Sequence, residues 1–250
     1  MQEKWETVYS KRFNGVWMPR EGFVKFSARY IQKREGIDVY CTRKTIQTVL
    51  DAGCGVGRHS VFFAEQGFKV YGIDISTEAI EIAKAWMNKK KLQVELSAGD
   101  LSNLEFENET FDLIVSDAVL DHVSMKDAIK MIDELWRVLK PLGYLFITLR
   151  STEDCEFTRG KKFEHNCYVL PTGYEKGIIQ HYFDIDEIKK LLKDFKVFDV
   201  ELEEQRFPQS FTEDKAFLQS SKGEKKYIDI TKPLEMNLKY SRWIIAAEKI

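Results

Sequence analysis

The chain has 250 residues, of which 44% are hydrophobic and 13% aromatic, which is enough to bury one large α/β core. Its formal net charge of −2 provides no long-range attraction for nucleic acid or for an anionic membrane, so neither is expected as a partner. Residues 1–7 lack the apolar core of a signal peptide, and no window reaches the ~18 apolar residues of a membrane span. We therefore predict a cytoplasmic location.

The spacing of the cysteines and the composition of the N-terminal segment each lead to an expectation. The 4 cysteines lack Cys-x-x-Cys spacing, which indicates neither a zinc site nor a disulfide framework, so no metal is predicted. Residues 1–45 mix aromatic with basic side chains in a pattern typical of helical segments. Pro19 disfavours helix in the residue before it, so the helical pattern is expected to break near Met18.

From Thr48 onward, short apolar runs alternate with helical patterns, which is typical of βαβ units and a mainly parallel sheet. Strands are predicted at 48–50, 69–73, 93–96, 111–115 and 143–148, and helices at 58–66, 77–88 and 125–139. Ser76 supplies capping chemistry before the second of these helices. Pro141 is expected to stop the third helix, and Gly143 to reverse the chain into the fifth strand.

The alternation of apolar runs with helical patterns ends after Leu149. Residues 150–180 are predicted to form an irregular insertion, followed by a helix at 184–193 and a strand at 197–204. A second irregular stretch covers 206–239 and precedes a terminal strand at 241–247. We predict a single domain over residues 1–250, because the chain is not much longer than single α/β domains often are, and long loops inside a compact domain are usually functional or mobile.

A glycine-rich turn follows the first of these strands and reads Asp51-Ala52-Gly53-Cys54-Gly55-Val56-Gly57. In an open α/β sheet, ligands bind beyond the carboxyl ends of the strands, and glycines let the backbone approach them closely. A dinucleotide fingerprint, G-x-G-x-x-G, would place glycine or alanine where this chain has Arg58. The turn therefore favours a ligand other than a dinucleotide, although an ordinary βα turn would also fit.

Three later segments help to identify the kind of ligand that binds at the glycine turn. Asp74 ends the second strand about twenty residues after the turn, where a carboxylate can accept both hydroxyls of a ribose, or simply cap a helix. The other segments are Ser97-Ala98-Gly99-Asp100-Leu101, which follows the third strand, and the stretch from Phe111 to Val123 with its continuation through Leu139-Lys140-Pro141-Leu142-Gly143. Together with the glycine turn, these segments resemble the motifs of class I methyltransferases between about Thr48 and Thr148.

This resemblance implies a fold, a cofactor and a set of contacts. The fold is a Rossmann-like seven-stranded, mostly parallel sheet in the order 3-2-1-4-5-7-6, with the last strand antiparallel and helices on both faces. The implied cofactor is S-adenosyl-L-methionine. Asp51, Gly53 and Gly55 would face its methionine end, with the Ser116 carbonyl nearby. Asp74 and Ile75 would hold the ribose and adenine, and Asp100 and Leu101 the adenine.

The expected activity is methyl transfer to an oxygen, nitrogen or sulfur atom of a small molecule. His122 follows the fourth strand near the expected methyl position and is a candidate base, a wall of the pocket or a structural residue. His181 precedes the last helix and is a second catalytic candidate. Arg150 is a candidate substrate clamp, because guanidinium groups bind carboxylates and phosphates well.

The sequence leaves open which residues contact the substrate and which of several functions the chain has. Trp17 and Arg20 are candidate substrate contacts, because the N-terminal segment often forms a lid in small-molecule methyltransferases; packing as core is the competing interpretation. The stretches 150–180 and 206–239 are expected to form lids or an interface, in a monomer or homodimer. Methylation of RNA or protein, and cofactor binding without catalysis, are the alternative functions. Against the former, the chain reads Ser116-Asp117-Ala118-Val119 where an N-P-P-Y-type tetrapeptide would stand.

Overall fold

The computed structural model describes residues 2–12, 18–37, 39–42, 44–172, 175–207 and 238–250, and its N-terminal segment consists of helices followed by one hairpin. Helices α1 (Gln2–Arg12) and α2 (Glu21–Phe26) are followed by a π-helical turn at Ser27–Ile31. Residues then form strands β1 (Gln32–Gly36) and β2 (Val39–Thr42), which pair antiparallel. The helical expectation for residues 1–45 therefore holds only as far as Ile31 among the described residues.

A seven-stranded sheet lies at the centre of the fold. Its strands are β3 (Thr48–Ala52), β4 (Lys69–Asp74), β5 (Val94–Ala98), β6 (Phe111–Asp117), β7 (Leu139–Arg150), β11 (Phe195–Phe207) and β12 (Leu238–Lys249). They lie in the order β11-β12-β7-β6-β3-β4-β5. Strand β12 pairs antiparallel with both of its neighbours, whereas β3 to β7 pair in parallel. The predicted order 3-2-1-4-5-7-6 is confirmed.

The sheet buries both of its faces. Along β3, Val49 belongs to one hydrophobic cluster and Leu50 to the other, because successive strand residues point to opposite faces. Helices α5 (Met125–Val138) and α6 (Ile185–Leu191) cover the Leu50 face. Helix α2 covers the Val49 face through Phe23 and Phe26, which are 0% and 4% exposed. These two aromatic side chains are therefore core residues.

Side-chain caps begin three of the helices that follow strands, but not the helix that follows the glycine turn. Helix α3 (Arg58–Glu65) follows the glycine turn, and α4 (Thr77–Lys90) begins at Ser76, whose hydroxyl accepts a hydrogen bond from the Ala79 N–H at 3.2 Å. Ser124 caps α5 in the same way, and Asp184 forms a capping box with Glu187 at α6. Because these caps bond free N–H groups of the first turn, they set where each helix starts.

The connection from α5 to β7 differs from the prediction. Helix α5 ends at Val138 and β7 begins at once at Leu139, with a register irregularity between the partners Phe111↔Leu139 and Leu113↔Tyr144. The residue with a positive φ is Leu142 (φ 60°), not Gly143. The extra residues bulge out of the strand, and Leu142 is 62% exposed at the bulge.

Residues 150–180 contain a small sheet rather than a wholly irregular insertion. Strands β8 (Lys161–Glu164), β9 (Cys167–Val169) and β10 (Ile179–His181) pair antiparallel in the order β10-β9-β8. Asn166, a non-glycine residue with a φ of 52°, lies in the turn between β8 and β9, so the usual glycine signal is missing from that turn. Most of the predicted 206–239 stretch lies outside the described residues. No helix in the described parts of the chain is long and apolar enough to cross a membrane.

Candidate functional site

A cleft opens at the carboxyl edge of the parallel strands, where β3, β4, β5 and β6 end. It encloses about 560 Å³, including space open to solvent. Its lining comes from α1, the glycine turn and the segments that follow β4, β5 and β6: Trp5, Tyr9, Gly53, Asp74, Ile75, Gly99, Asp100, Leu101, Ala118, Val119, His122, Val123 and Met131. Six of these residues, Gly53, Asp74, Ile75, Asp100, Leu101 and His122, are candidates from the sequence.

The glycine turn forms the floor of the cleft. The N–H groups of Gly53 and Cys54 donate to the Ile73 carbonyl at 2.8 and 2.9 Å, so the turn is tied to the end of β4. Gly53 has a φ of +77°, and a Cβ there would lie 2.3 Å from Cγ2 of Val119 on the opposite wall. Glycine is therefore required both by the backbone conformation and by the close approach of the two walls.

Asp74 places a carboxylate at the end of β4, beside the floor. Its Oδ2 accepts the Gly55 N–H at 2.8 Å, and its Oδ1 accepts the Ser76 N–H at 2.9 Å. Burial raises the pKa of Asp74 to about 6, although the two backbone hydrogen bonds lower it. Because a carboxylate has about four lone-pair positions, both oxygens keep capacity for a further donor.

Three expected cofactor contacts lie behind the lining of the cleft. Asp51 is 1% exposed, and its Oδ2 accepts the N–H and the hydroxyl of Ser60 at 2.9 and 2.6 Å. It therefore joins the end of β3 to the first turn of α3. Gly55 contributes its N–H to Asp74, and Ser116 is buried in β6. Such residues shape the turn, and any cofactor contact from them runs through the backbone.

Helix α1 forms the outer wall of the cleft; the sequence predicted a helical lid from residues 1–45 but named Trp17 and Arg20, not residues of α1, as substrate contacts. The rings of Trp5 and Tyr9, four residues apart on one helix face, lie 6.1 Å from each other in the cleft. Glu6, between them, accepts hydrogen bonds from the N–H groups of Thr77 and Glu78 at 2.8 and 3.0 Å at the start of α4. Burial opposes its ionisation, but these bonds and those from two hydroxyls lower its pKa to about 2.

Arg20, expected at the substrate, pairs instead with Asp117 at the end of β6. Its Nε donates to Oδ1 at 3.0 Å, and Arg58, His59 and Thr148 also contact this carboxylate. Burial opposes ionisation, but the His59 contact and the two guanidinium groups hold the pKa of Asp117 well below its usual range. The cluster anchors the residues before α2 to the sheet. Trp17 lies outside the described residues.

His122 lines the inner wall and is 7% exposed. The Trp5 ring meets it edge-on at 4.9 Å. Its Nδ1 lies 3.1 Å from Nε2 of Gln180 and 3.3 Å from the carbonyl oxygen of Ile179, both on β10. Burial lowers the pKa of His122, with a further contribution from Arg150, so the ring is neutral near pH 7.

His181 and Arg150 lie in a buried polar region next to the cleft. His181 is 0% exposed, and its Nε2 lies 3.1 Å from Oε1 of Glu187. It also lies with Glu164 and Cys167 in a group whose potential metal-ligand atoms are within 4.8 Å of one another. Burial raises the pKa of Cys167 to about 12, so its thiol is protonated at neutral pH. Cys167 of β9 and His181 of β10 are thus paired within the small sheet, and neither is among the residues that line the cleft.

Arg150 at the end of β7 makes ion pairs within the protein. Its guanidinium nitrogens lie 3.4 Å from Oε2 of Glu156 and 3.6 Å from Oε2 of Glu175. Burial opposes its charge, but the surrounding carboxylates raise the pKa of Arg150 above its usual value. The neighbouring Asp121, which is 0% exposed, accepts the Arg150 N–H and pairs with Arg242, each at 2.7 Å. Arg150 therefore supports the inner wall from behind.

The cleft fits the shape and polarity of S-adenosylmethionine. A carboxylate with spare acceptor capacity lies beside apolar side chains, Ile75 and Leu101, that can cover an adenine ring. The backbone of Gly53 lines the floor, where a Cβ would collide with the Val119 side chain. Fold, floor and acidic positions together define a Rossmann-like domain with a nucleoside-binding edge.

Comparisons with known proteins agree with this class. The family described as "Methyltransferase domain" matches residues 49–143. A phosphoethanolamine N-methyltransferase of Arabidopsis thaliana is 28% identical over 83% of this chain and 46% of its own length. A ubiquinone biosynthesis O-methyltransferase of Pelagibacter ubique is 31% identical over 56% of this chain and 59% of its own. The chain thus spans about half the length of these curated relatives.

Solved structures share the fold. A SAM-dependent methyltransferase of Methanosarcina mazei has a TM-score of 0.64 at 22% identity, covering 94% of this chain and 99% of its own. A structure from echinomycin biosynthesis also has a TM-score of 0.64, at 18% identity over 100% of this chain and 93% of its own. Residues 49–143 therefore match a methyltransferase domain, and the fold of the chain is that of the class I, S-adenosylmethionine-dependent methyltransferase family. S-adenosylmethionine is the cofactor of that family.

Proposed function

We propose that this protein transfers a methyl group from S-adenosylmethionine to an oxygen, nitrogen or sulfur nucleophile of a small molecule. The observation that carries the proposal is the cleft itself. In it, the glycine floor, Asp74, the Asp100-Leu101 pair and His122 meet at one sheet edge beneath α1. A sulfonium-bound methyl group comes with a good leaving group, so the protein mainly has to position the nucleophile and exclude water.

The cofactor contacts are assigned residue by residue. Asp74 accepts the ribose hydroxyls, Ile75 and Leu101 cover the adenine, and the exposed carboxylate of Asp100 lies at the adenine end. The backbone at Gly53 and Gly55 and the carbonyl of Ser116 face the methionine end. Asp51 acts indirectly, because its hydrogen bonds to Ser60 hold the turn against α3.

The acceptor side is formed by Trp5, Tyr9 and His122. Aromatic walls exclude water and favour a compact organic acceptor over a macromolecule. The names of the two relatives, phosphoethanolamine N-methyltransferase and ubiquinone biosynthesis O-methyltransferase, support a small acceptor in the same way. Within residues 1–45, we assign the lid to α1. A cytoplasmic location, a single domain over residues 1–250, and a monomer or homodimer stay predictions.

Calorimetric titration tests the cofactor. We expect S-adenosylhomocysteine to bind and NADH not to bind, and binding of NADH alone would overturn the proposal. The second stage incubates the protein with S-adenosylmethionine and either phosphoethanolamine or a phenol, and measures release of S-adenosylhomocysteine. For His122→Ala, we expect slower release with unchanged S-adenosylhomocysteine affinity. Cofactor binding without turnover of any acceptor tested would favour a binding protein instead.

A further inference from the structure

The inner wall of the cleft contains a chain of polar contacts that leads from His122 into the buried region beneath β10. Gln180 is 0% exposed, and its Nε2 lies 2.8 Å from Oε2 of Glu175 and 3.1 Å from Nδ1 of His122. Glu175 is 6% exposed, with the Arg150 guanidinium 3.6 Å from the same oxygen. These side chains join the small sheet to the wall where the acceptor is expected.

The carboxylate of Glu175 decides which way the Gln180 amide points. An ionised carboxylate only accepts hydrogen bonds, so the atom 2.8 Å away from it must be the amide nitrogen. Turning the amide over would place its oxygen against the carboxylate and leave the nitrogen without that acceptor. Because the NH₂ group carries two hydrogens, the second one is available for the neighbour at 3.1 Å, Nδ1 of His122.

The amide in turn decides the tautomer of His122. If Nδ1 carried the ring proton, that N–H would face the N–H of Gln180 at 3.1 Å and leave this buried amide hydrogen unpaired, which is unfavourable. Its only compensation would be a bond to the Ile179 carbonyl at 3.3 Å, beyond the usual N–H···O range. The lone pair at Nδ1 is therefore the favoured arrangement, and a neutral ring then has its proton on Nε2.

Resting on the proposed function, we infer that Gln180 and Glu175 are positioning residues that hold His122 as a neutral Nε2–H donor in the cleft. Among the described residues, Nε2 of His122 has no hydrogen-bond partner and is not one of the enclosed, unpartnered polar atoms. It is therefore available to a ligand. A donor of this kind orients the acceptor but removes no proton from it, so the fitting acceptor is one whose nucleophile is already deprotonated when it binds.

Nitrogen NMR reads the tautomer directly. Long-range ¹H–¹⁵N correlation spectra of the ¹⁵N-labelled full chain separate protonated from unprotonated ring nitrogens for the 4 histidines. The His122 signals are identified by their loss in His122→Gln. We expect the spectrum at pH 7.5 to show His122 protonated at Nε2 and bare at Nδ1. A wild-type ring with the proton on Nδ1 overturns the inference.

Two variants test the positioning residues. Gln180→Leu removes the donor, so we expect the His122 proton to move at least partly to Nδ1, where the Ile179 carbonyl accepts it. Glu175→Gln removes the group that orients the amide, so a similar but smaller shift is expected, and it keeps the test available if Gln180→Leu does not fold. Gln93→Leu, at an exposed position, is the matched control and should leave the signals unchanged. An unchanged tautomer in folded Gln180→Leu and Glu175→Gln contradicts the role assigned to these residues.

The two proposals can fail separately. Failure of the proposed function appears as absence of S-adenosylhomocysteine binding in calorimetry, which does not affect the His122 spectrum of the ligand-free protein. Failure of the tautomer inference appears in that spectrum while cofactor binding remains intact.

Discussion

Replacing Asp74 with asparagine is the sharpest perturbation of the cleft. Both carboxylate oxygens accept backbone N–H groups, from Gly55 at 2.8 Å and Ser76 at 2.9 Å. Asparagine has only one acceptor atom, so its NH₂ group must face one of these two donors. One buried N–H then loses its acceptor, which costs about 1–3 kcal/mol, but the neutral amide also removes the cost of burying the carboxylate charge, so Asp74→Asn should lower the free energy of unfolding by less than this amount.

The same substitution should weaken cofactor binding. A ribose hydroxyl that donates to the carboxylate contributes about 1.5–3 kcal/mol as a charge-assisted bond. Losing one such bond corresponds to a roughly 10- to 150-fold weaker affinity. The assay is calorimetric titration with S-adenosylhomocysteine at pH 8, together with urea unfolding. Asp186→Asn, on an exposed side chain of α6, is the matched control and should change neither quantity.

Lowering the pH should reproduce part of this effect in the wild type. The folded-state pKa of Asp74 is about 6, raised by burial, so about one tenth of the carboxylate is ionised at pH 5. If the cofactor binds the ionised form, affinity falls about tenfold from pH 8 to pH 5. The effect of pH on the free energy of unfolding has the opposite sign. The cost of burying the Asp74 charge is present above pH 6 and is relieved as the pH falls through 6. If folded Asp74→Asn binds S-adenosylhomocysteine as tightly as the wild type does, the assignment of Asp74 to the ribose is refuted.

Further substitutions test the floor, the inner wall and the outer wall. Gly53→Ala should weaken cofactor binding far more than Gly67→Ala in the same titration: both glycines have positive φ, but a Cβ at Gly67 meets open space. Equal effects would rule out the close wall contact. Arg242→Ala leaves the buried Asp121 without its charged partner and should cost about 3–5 kcal/mol in urea unfolding; a loss below about 1 kcal/mol would contradict that pairing. Glu6→Gln should increase hydrogen exchange in α1. The folded-state pKa of Glu6 is lowered to about 2, so the stabilisation by Glu6 is present above pH 4.5 and lost as the pH falls through 2. If protection of α1 from hydrogen exchange is constant across this pH window, Glu6 does not hold the helix.

Local sequence patterns were enough to predict the central sheet and the helices around it. Alternation such as Val49 and Leu50 reports the two faces of a strand, and caps such as Ser76 act within three residues of their targets. The strand order came from the resemblance of the motifs to a family, and the structure agrees with it. The candidate contacts at Gly53, Asp74 and Asp100 rest on the same motifs.

The sequence motifs predicted the candidate cofactor edge, because that edge is built from turns that each follow a strand directly. Only the tertiary structure showed which distant segments meet in the walls of the cleft. Glu6 reaches the start of α4 across 71 residues, and Gln180 reaches His122 across 58. Arg20 and Arg150, expected at the substrate, are instead paired with buried carboxylates. The physical reason is that periodicity, caps and turns describe neighbours within a few residues, whereas the partner of a charged or aromatic side chain depends on which distant segments pack together.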